Sequence, residues 1–236
     1  MVIVKDLKYL MPLLYVILSL VVLLLTKRIM TTDLARLVHR LGGNQHTAII
    51  TWSIIFLPGT IIHEISHFLL AALTGARTGK IEIFPEYLED ESDGRSTRIA
   101  LGSVQTQKLN PVQGFLVGIA PFLSGIALLI WLASLLQTGF DTKNIWLVIL
   151  EGYFFFTIAN SFFPSWPDIK QTLPFIIISI VVALLAWYFG FQIFLSQSSY
   201  VWTLLDFLWK AISLSVLINL VIIGILFILH SFTKRK

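Results

Sequence analysis

The chain has no cysteine. Disulfides are therefore excluded, and so is a thiolate metal site; any zinc must be held by His, Asp or Glu. Charge is scarce as well. Only 13% of the 236 residues are Asp, Glu, Lys or Arg, against 56% hydrophobic. That is about half the charged share of an ordinary soluble domain. With a mean hydropathy of +0.84 and apolar runs spread from end to end, the composition is that of an integral membrane protein. It leaves no room for a large soluble domain. Five histidines are too few for a membrane di-iron cluster. No G-x-S-x-G elbow occurs, which removes the usual signature of a serine nucleophile. No internal repeat or low-complexity segment is found. The formal charge of +4 comes from Lys and Arg in loops and tails, with no basic groove interleaved with aromatics. Nucleic acid is not an expected partner; the lipid bilayer is.

What the chain has is apolar length. Six membrane-spanning helices are expected, near Tyr9–Thr26, Thr47–Ala76, Val112–Leu136, Ile145–Phe163, Leu173–Phe194 and Leu208–His230. The first lacks a small-x-small cleavage site and is long enough to remain as a span rather than be removed as a signal peptide. Between the first two, Leu34, Leu37, Val38 and Leu41 recur at helical spacing. This predicts a short interfacial helix capped by Thr32 or Asp33, or less simply a partner-binding helix. His46 falls at the entry to the second span, and His230 at the end of the last. With six spans, eleven Lys and Arg lie on the side of the two termini and the long loop, and six on the other. Both termini are therefore expected in the cytoplasm of a cell with this protein in its plasma membrane.

Polar residues inside apolar runs are where function is expected in a membrane protein. Thr60-Ile-Ile-His-Glu-Ile-Ser-His-Phe-Leu-Leu70 carries His63, Glu64 and His67 as H-E-x-x-H. They are the only ionisable side chains from Thr47 to Ala76. On a helix, His63 and His67 share a face and grip one ion, while Glu64 points about 100° away, placed to take a proton from a water. Polar contacts between packed helices, or a metal that is only structural, are the competing readings. Pro58-Gly59, one turn earlier, predicts a kink.

Two histidines leave a catalytic zinc site one protein ligand short. The leading candidate is Asp168, in Asn160-Ser-Phe-Phe-Pro-Ser-Trp-Pro-Asp168, at the end of the fourth span and at the depth of the motif. A turn or cap aspartate is its alternative. Glu151 lies more than about 20 Å from Asp168 along one helix and is a weaker candidate. Asn160 is a candidate donor to a substrate carbonyl or an oxyanion, with an interhelical hydrogen bond as the alternative. Ala120-Pro121 and Ser124-Gly125 are read as close-packing residues. The loop from Arg77 to Asn110 is the long polar one. Lys80-Ile-Glu-Ile-Phe84 and Arg98-Ile-Ala-Leu-Gly-Ser-Val104 predict a small β-hairpin around an acidic tip, Glu86–Gly94. Such an edge either holds an unwound substrate strand or is purely structural.

These motifs resemble the site-2 protease class of intramembrane zinc metalloproteases. His63-Glu-Ile-Ser-His67 matches that class's first motif. Asn160, Pro164 and Asp168 are similar to its second, N-x-x-P followed by L-D-G, and Gly118-Ile-Ala-Pro-Phe-Leu-Ser-Gly125 to the intervening G-P-x-x-N. The departures are a proline four residues after Asn160 rather than three, Trp166-Pro167-Asp168-Ile169 in place of L-D-G, and Ser124 in place of asparagine. The resemblance covers about Thr47 to Lys170. It implies one zinc ion held by His63, His67 and Asp168, Glu64 as base, and a membrane-protein helix as substrate. The expected architecture is an all-α polytopic membrane protein with a small β-hairpin. Residues 1–46 form a first span and interfacial helix. Residues 47–170 form a three-helix metalloprotease core with the loop 77–110, and 171–236 add two spans and a basic tail. The rival classes are a proteolytically silent membrane protein, with a structural metal or a bound partner helix, and a hydrolase of a non-peptide substrate. Oligomeric state is not legible.

Overall fold

A computed structural model of the chain describes residues 3–82, 86–88, 98–100, 103–106, 109–189 and 200–233. It is mostly helical, with α1 (Ile3–Arg40), α2 (Gln45–Ile55), α3 (Leu57–Leu73), α4 (Pro111–Asp141), α5 (Ile145–Ser161), α6 (Trp166–Tyr188) and α7 (Tyr200–Thr233). Four of these, α1, α4, α6 and α7, are long and apolar enough to cross a membrane. The α2–α3 pair passes the same test together, although it is bent by 73°; α5 is apolar but has only 17 residues. Side chains such as Leu18, Leu25, Val182, Leu217 and Phe227 are more than half exposed. A water-facing surface does not carry apolar area on that scale, whereas a lipid-facing one does.

The expected interfacial helix does not exist as a separate element. Nothing between Thr26 and Leu41 breaks a helix, so α1 runs on to Arg40 and ends at Gly42, whose φ of +88° suits glycine. Thr32 bonds back to the Arg28 carbonyl and Asp33 pairs with Arg36, so neither acts as a cap. Leu34 and Leu37 pack instead against a buried cluster of Met30, Trp52, Phe56, Phe156 and Leu226.

The expected kink before the motif is a full break. Pro58 stands in the first turn of α3, where its missing N–H costs nothing, and the turn falls at Phe56. The Ile55 carbonyl at the break accepts a hydrogen bond from the Tyr153 hydroxyl of α5, at 3.0 Å.

Contacts along the helices fix their directions. Tyr15 packs at a tilt against Trp209, Thr26 accepts from Asn219, and the Asp33 carbonyl meets His230, so α1 and α7 run parallel. Along α4, read from its C-terminal end, Gly139 faces Val148, Gly125 faces Phe162, and Gly118 faces Asp168 and Thr172. Phe115 then stacks on Phe175. Thus α5 and α6 run one after the other down a single side of α4. They form one run broken at Phe162–Ser165, where six spans had required two. Five runs alternate in direction: α1, α2–α3, α4, α5–α6 and α7. The start of α1 and the end of α7 consequently lie at opposite ends of the bundle. This corrects the expectation of both termini on one side. The excess of Lys and Arg that had chosen the cytoplasmic face depended on six passes and goes with it.

The segment after α3 contains four short strands, β1 (Thr78–Glu82), β2 (Glu86–Leu88), β3 (Arg98–Ala100) and β4 (Ser103–Thr106). β1 pairs antiparallel with β4, and β2 with β3. Glu86, expected in an acidic tip, is in β2; residues 89–97 of that tip lie outside the described residues. The main core lies where α1, α4, α5 and α7 meet, around Leu23, Leu129, Phe155 and Ile212, all at most 2% exposed.

Candidate metal centre

The chain brings His63, His67 and Asp168 together. His63 and His67 sit one turn apart on α3. Their Nε2 atoms are 3.2 Å from each other, and the rings meet edge to face. Asp168 comes from the first turn of α6. Its Oδ1 lies 3.3 Å from His67 Nε2 and its Oδ2 3.7 Å from His63 Nε2. Among the described residues this is the one group of three His, Asp or Glu side chains able to share an ion.

Two backbone carbonyls aim the rings. His63 Nδ1 donates to the Ser161 carbonyl of α5, and His67 Nδ1 to the Val117 carbonyl of α4, each at 2.8 Å. A carbonyl only accepts, so both Nδ1 atoms carry their protons, and in the neutral rings each Nε2 then turns a lone pair to the shared point. This is the outer hydrogen bonding that metal-ligating histidines use. With both rings neutral, two Nε2 lone pairs and a carboxylate face one another here, and that donor set fits a small divalent ion; with a ring protonated the same atoms make a His–Asp ion pair.

Both carbonyls are free for reasons written in the local sequence. Inside a helix, each carbonyl accepts from the N–H four residues on. For Val117 that residue is Pro121, which has no N–H. For Ser161 it is Ser165, beyond the end of α5, whose N–H turns to Asp168 Oδ2 at 2.7 Å instead. The Ser165 hydroxyl donates to the same oxygen at 2.6 Å. Ser165-Trp-Pro-Asp168 is thus a helix-start arrangement for α6. The cap reading of Asp168 is realised by Oδ2, while Oδ1 lies 3.3 Å from His67 Nε2, where a shared ion would need it. Placed on α6 rather than at the end of the fourth expected span, it still reaches the depth of the motif. α5 and α6 are one broken run, and Gly118 lets the Asp168 backbone come close to α4.

Glu64 is buried, 7% exposed, and within electrostatic reach of His63, His67 and Asp168. It makes no hydrogen bond to another described residue, so its oxygens are free to face a water or substrate. On the next turn, the hydroxyls of Ser66 and Ser124 are 2.6 Å apart and join α3 to α4. Gly59 puts α3 against the backbone of α5 at Thr157 and the hydroxyl of Ser161.

Asn160 lies elsewhere. Its amide N–H groups go to the Phe156 carbonyl and to Asn219 Oδ1, each at 2.9 Å, and Asn219 returns a bond to Asn160 Oδ1 at 2.9 Å. Asn219 also donates to Thr26 at 3.2 Å. The amide therefore serves an interhelical bond between α5, α7 and α1, and both donors expected for an oxyanion are occupied. Glu151 is buried near Gly139 of α4, and its Oε2 has no hydrogen-bond partner among the described residues. Its ten-residue separation from Ser161 corresponds to about 15 Å of helix, too far to serve this site.

Sequence reasoning missed the Val117 and Ser161 carbonyls, Ser165 and Asn219. A proline in mid-span was the available signal for Val117, and the S-x-x-D pattern for Ser165. No family model matches the chain, and no curated protein or solved structure is detectably similar to it.

Proposed function

We propose that this chain is an intramembrane zinc metalloprotease that hydrolyses peptide bonds in or near the transmembrane segments of other membrane proteins. The observation that carries the reading is the convergence of His63, His67 and Asp168, with both imidazoles held as Nδ1–H tautomers by backbone carbonyls. Ligands about 2.0–2.2 Å from a tetrahedral zinc stand roughly 3.3 Å apart. The 3.2 Å between the two Nε2 atoms and the 3.3 Å from His67 Nε2 to Asp168 Oδ1 agree with that figure; the 3.7 Å from His63 Nε2 is to the other carboxylate oxygen, Oδ2. The resemblance of His63-Glu-Ile-Ser-His67 and of Asn160, Pro164 and Asp168 to the site-2 protease class supports the same conclusion.

In this reading His63, His67 and Asp168 would hold one zinc ion. Bound there, zinc supplies Lewis acidity toward a carbonyl and makes water a nucleophile at neutral pH. Glu64 takes the proton of the attacking water and passes it to the departing amine. Water adds to the carbonyl carbon, the C–N bond breaks, and a carboxylate and an amine leave. Ser161 and Val117 keep the histidine rings aimed while charge shifts at the centre. The substrate helix must unwind locally, since helical carbonyls are already hydrogen-bonded.

The test compares membrane-protein fragments and new N-termini from cells carrying the native chain or Glu64→Gln. Fragments present only with the native chain support the protease. Matching profiles across growth and stress conditions would favour a proteolytically silent protein that keeps the metal for structure or binds a partner helix.

A further inference from the structure

Pro121 was read above as a packing residue; its place in the structure gives it more to do. It lies within α4, fully buried, and four residues after Val117. An N–H at position 121 would point along the helix at the Val117 carbonyl. The proline ring removes that N–H, and His67 Nδ1 fills the place at 2.8 Å. Val117 and His67 are both buried, 5% and 8% exposed, so water does not supply a ready alternative partner for either group. A freed carbonyl at this depth must find a donor. The nearest donor is the one ring nitrogen whose commitment leaves Nε2 bare for a metal.

We propose that Pro121 is a positioning residue: by deleting one backbone N–H it dedicates the Val117 carbonyl to His67 and fixes the tautomer and aim of that imidazole. This rests on the metal-centre reading above and adds the device that sets it. The ring itself is not the agent in this account, the missing proton is. With an N–H restored, the Val117 carbonyl is shared between the helix and His67, the Nδ1–H bond weakens, and the ring is released to turn or to take the other tautomer. The acceptor that holds the other ring nitrogen of a metal-bound histidine is typically worth about 10–100-fold in metal affinity.

The experiment uses the purified full-length chain and measures Zn²⁺ affinity by chelator competition, Co²⁺ absorption in the visible range, and thermal unfolding of the metal-free protein. Pro121→Ala should weaken Zn²⁺ binding about 10–100-fold and alter the Co²⁺ spectrum. It should not lower the unfolding temperature, because it repairs a helix. A second variant places lactic acid, the α-hydroxy analogue of alanine, at position 121 by nonsense suppression. This residue has neither the ring nor the N–H, and affinity and spectrum should return toward native. Unchanged affinity in Pro121→Ala overturns the proposal, and so does a lactic-acid variant as weak as the alanine one. A native chain that binds no Zn²⁺ or Co²⁺ would instead remove the metal-centre reading itself, a result distinct from either.

Discussion

Gly59 offers a sharp test of how the centre is built. A Cβ at this position would run into the Thr157 carbonyl oxygen of α5, and would stand 2.7 Å from the Thr157 carbonyl carbon and 2.5 Å from the Ser161 hydroxyl. Ordinary contact begins at 3.4 Å. The hydroxyl can rotate away, but the backbone of Thr157 cannot, so in Gly59→Ala α3 must draw back from that carbonyl oxygen by about 1.1 Å, a strain of the overpacking kind that costs about 1–3 kcal/mol. His63 follows one turn later on the same helix. Its 2.8 Å bond to the Ser161 carbonyl would stretch to about 3.9 Å, beyond the range of a hydrogen bond. Losing that bond should lower Zn²⁺ affinity about 10–100-fold. The assay is chelator competition on the purified chain, with thermal unfolding in parallel. Gly152→Ala, on α5 with nothing within 4 Å of the added carbon, is the matched control and should be silent. If Gly59→Ala binds zinc and unfolds like the native chain, the close approach of α3 and α5 does not set the centre.

Three further outcomes are expected. Asp168→Asn and Asp168→Ala should both lose zinc occupancy. Only the alanine variant should also unfold earlier, by about 1 kcal/mol, because it alone loses the side-chain oxygen that Ser165 uses at the start of α6; equal stability of the two would refute the double role. In a double-mutant cycle of Asn160→Ala and Asn219→Ala, thermal unfolding should show a coupling of about 0.6–1.7 kcal/mol, and additive effects would mean the amide pair contributes nothing. Single cysteines can be introduced into a chain that has none. Cysteines at Gly42 and Ser231 should be labelled from the same side of the membrane, whereas labelling from opposite sides would refute the parallel course of α1 and α7.

How far the sequence was legible depended on the range of the interaction. His63 and His67 were legible because a helix places i and i+4 together without help from the rest of the chain. Asp168 was legible by residue type and depth, but its address was not. A polar stretch, Ser165 to Thr172, separates two hydropathy windows and reads as a loop between two spans. In the structure Pro164 merely interrupts one run, and α6 takes it up again in the same direction. That one-run correction also reversed the topology, since charge counting inherits every error in the number of passes. Asn160 was misjudged in its main use because its partner, Asn219, is 59 residues away and nothing local announces it. The carbonyls that aim the histidines carry no side chain at all. Only the missing N–H of Pro121 and the end of α5 mark them.

The alternation of five runs also divides the molecule's connections unequally. One end of the bundle carries the tight turns between α1 and α2, residues 41–44, and between α4 and α5, residues 142–144. The other receives the whole strand-bearing segment between α3 and α4, where Gln113 ties the start of α4 to the Thr74 carbonyl. Evolution and the protein engineer thus face two different surfaces. Insertions, fused reporters and added domains have length to spare at the strand-bearing end, and it is there, a few turns from the metal centre, that a new regulator or substrate-selecting module would be gained most cheaply. At the opposite end the connections are only three or four residues long, residues 142–144 and 41–44, and leave little chain in which to place an insertion.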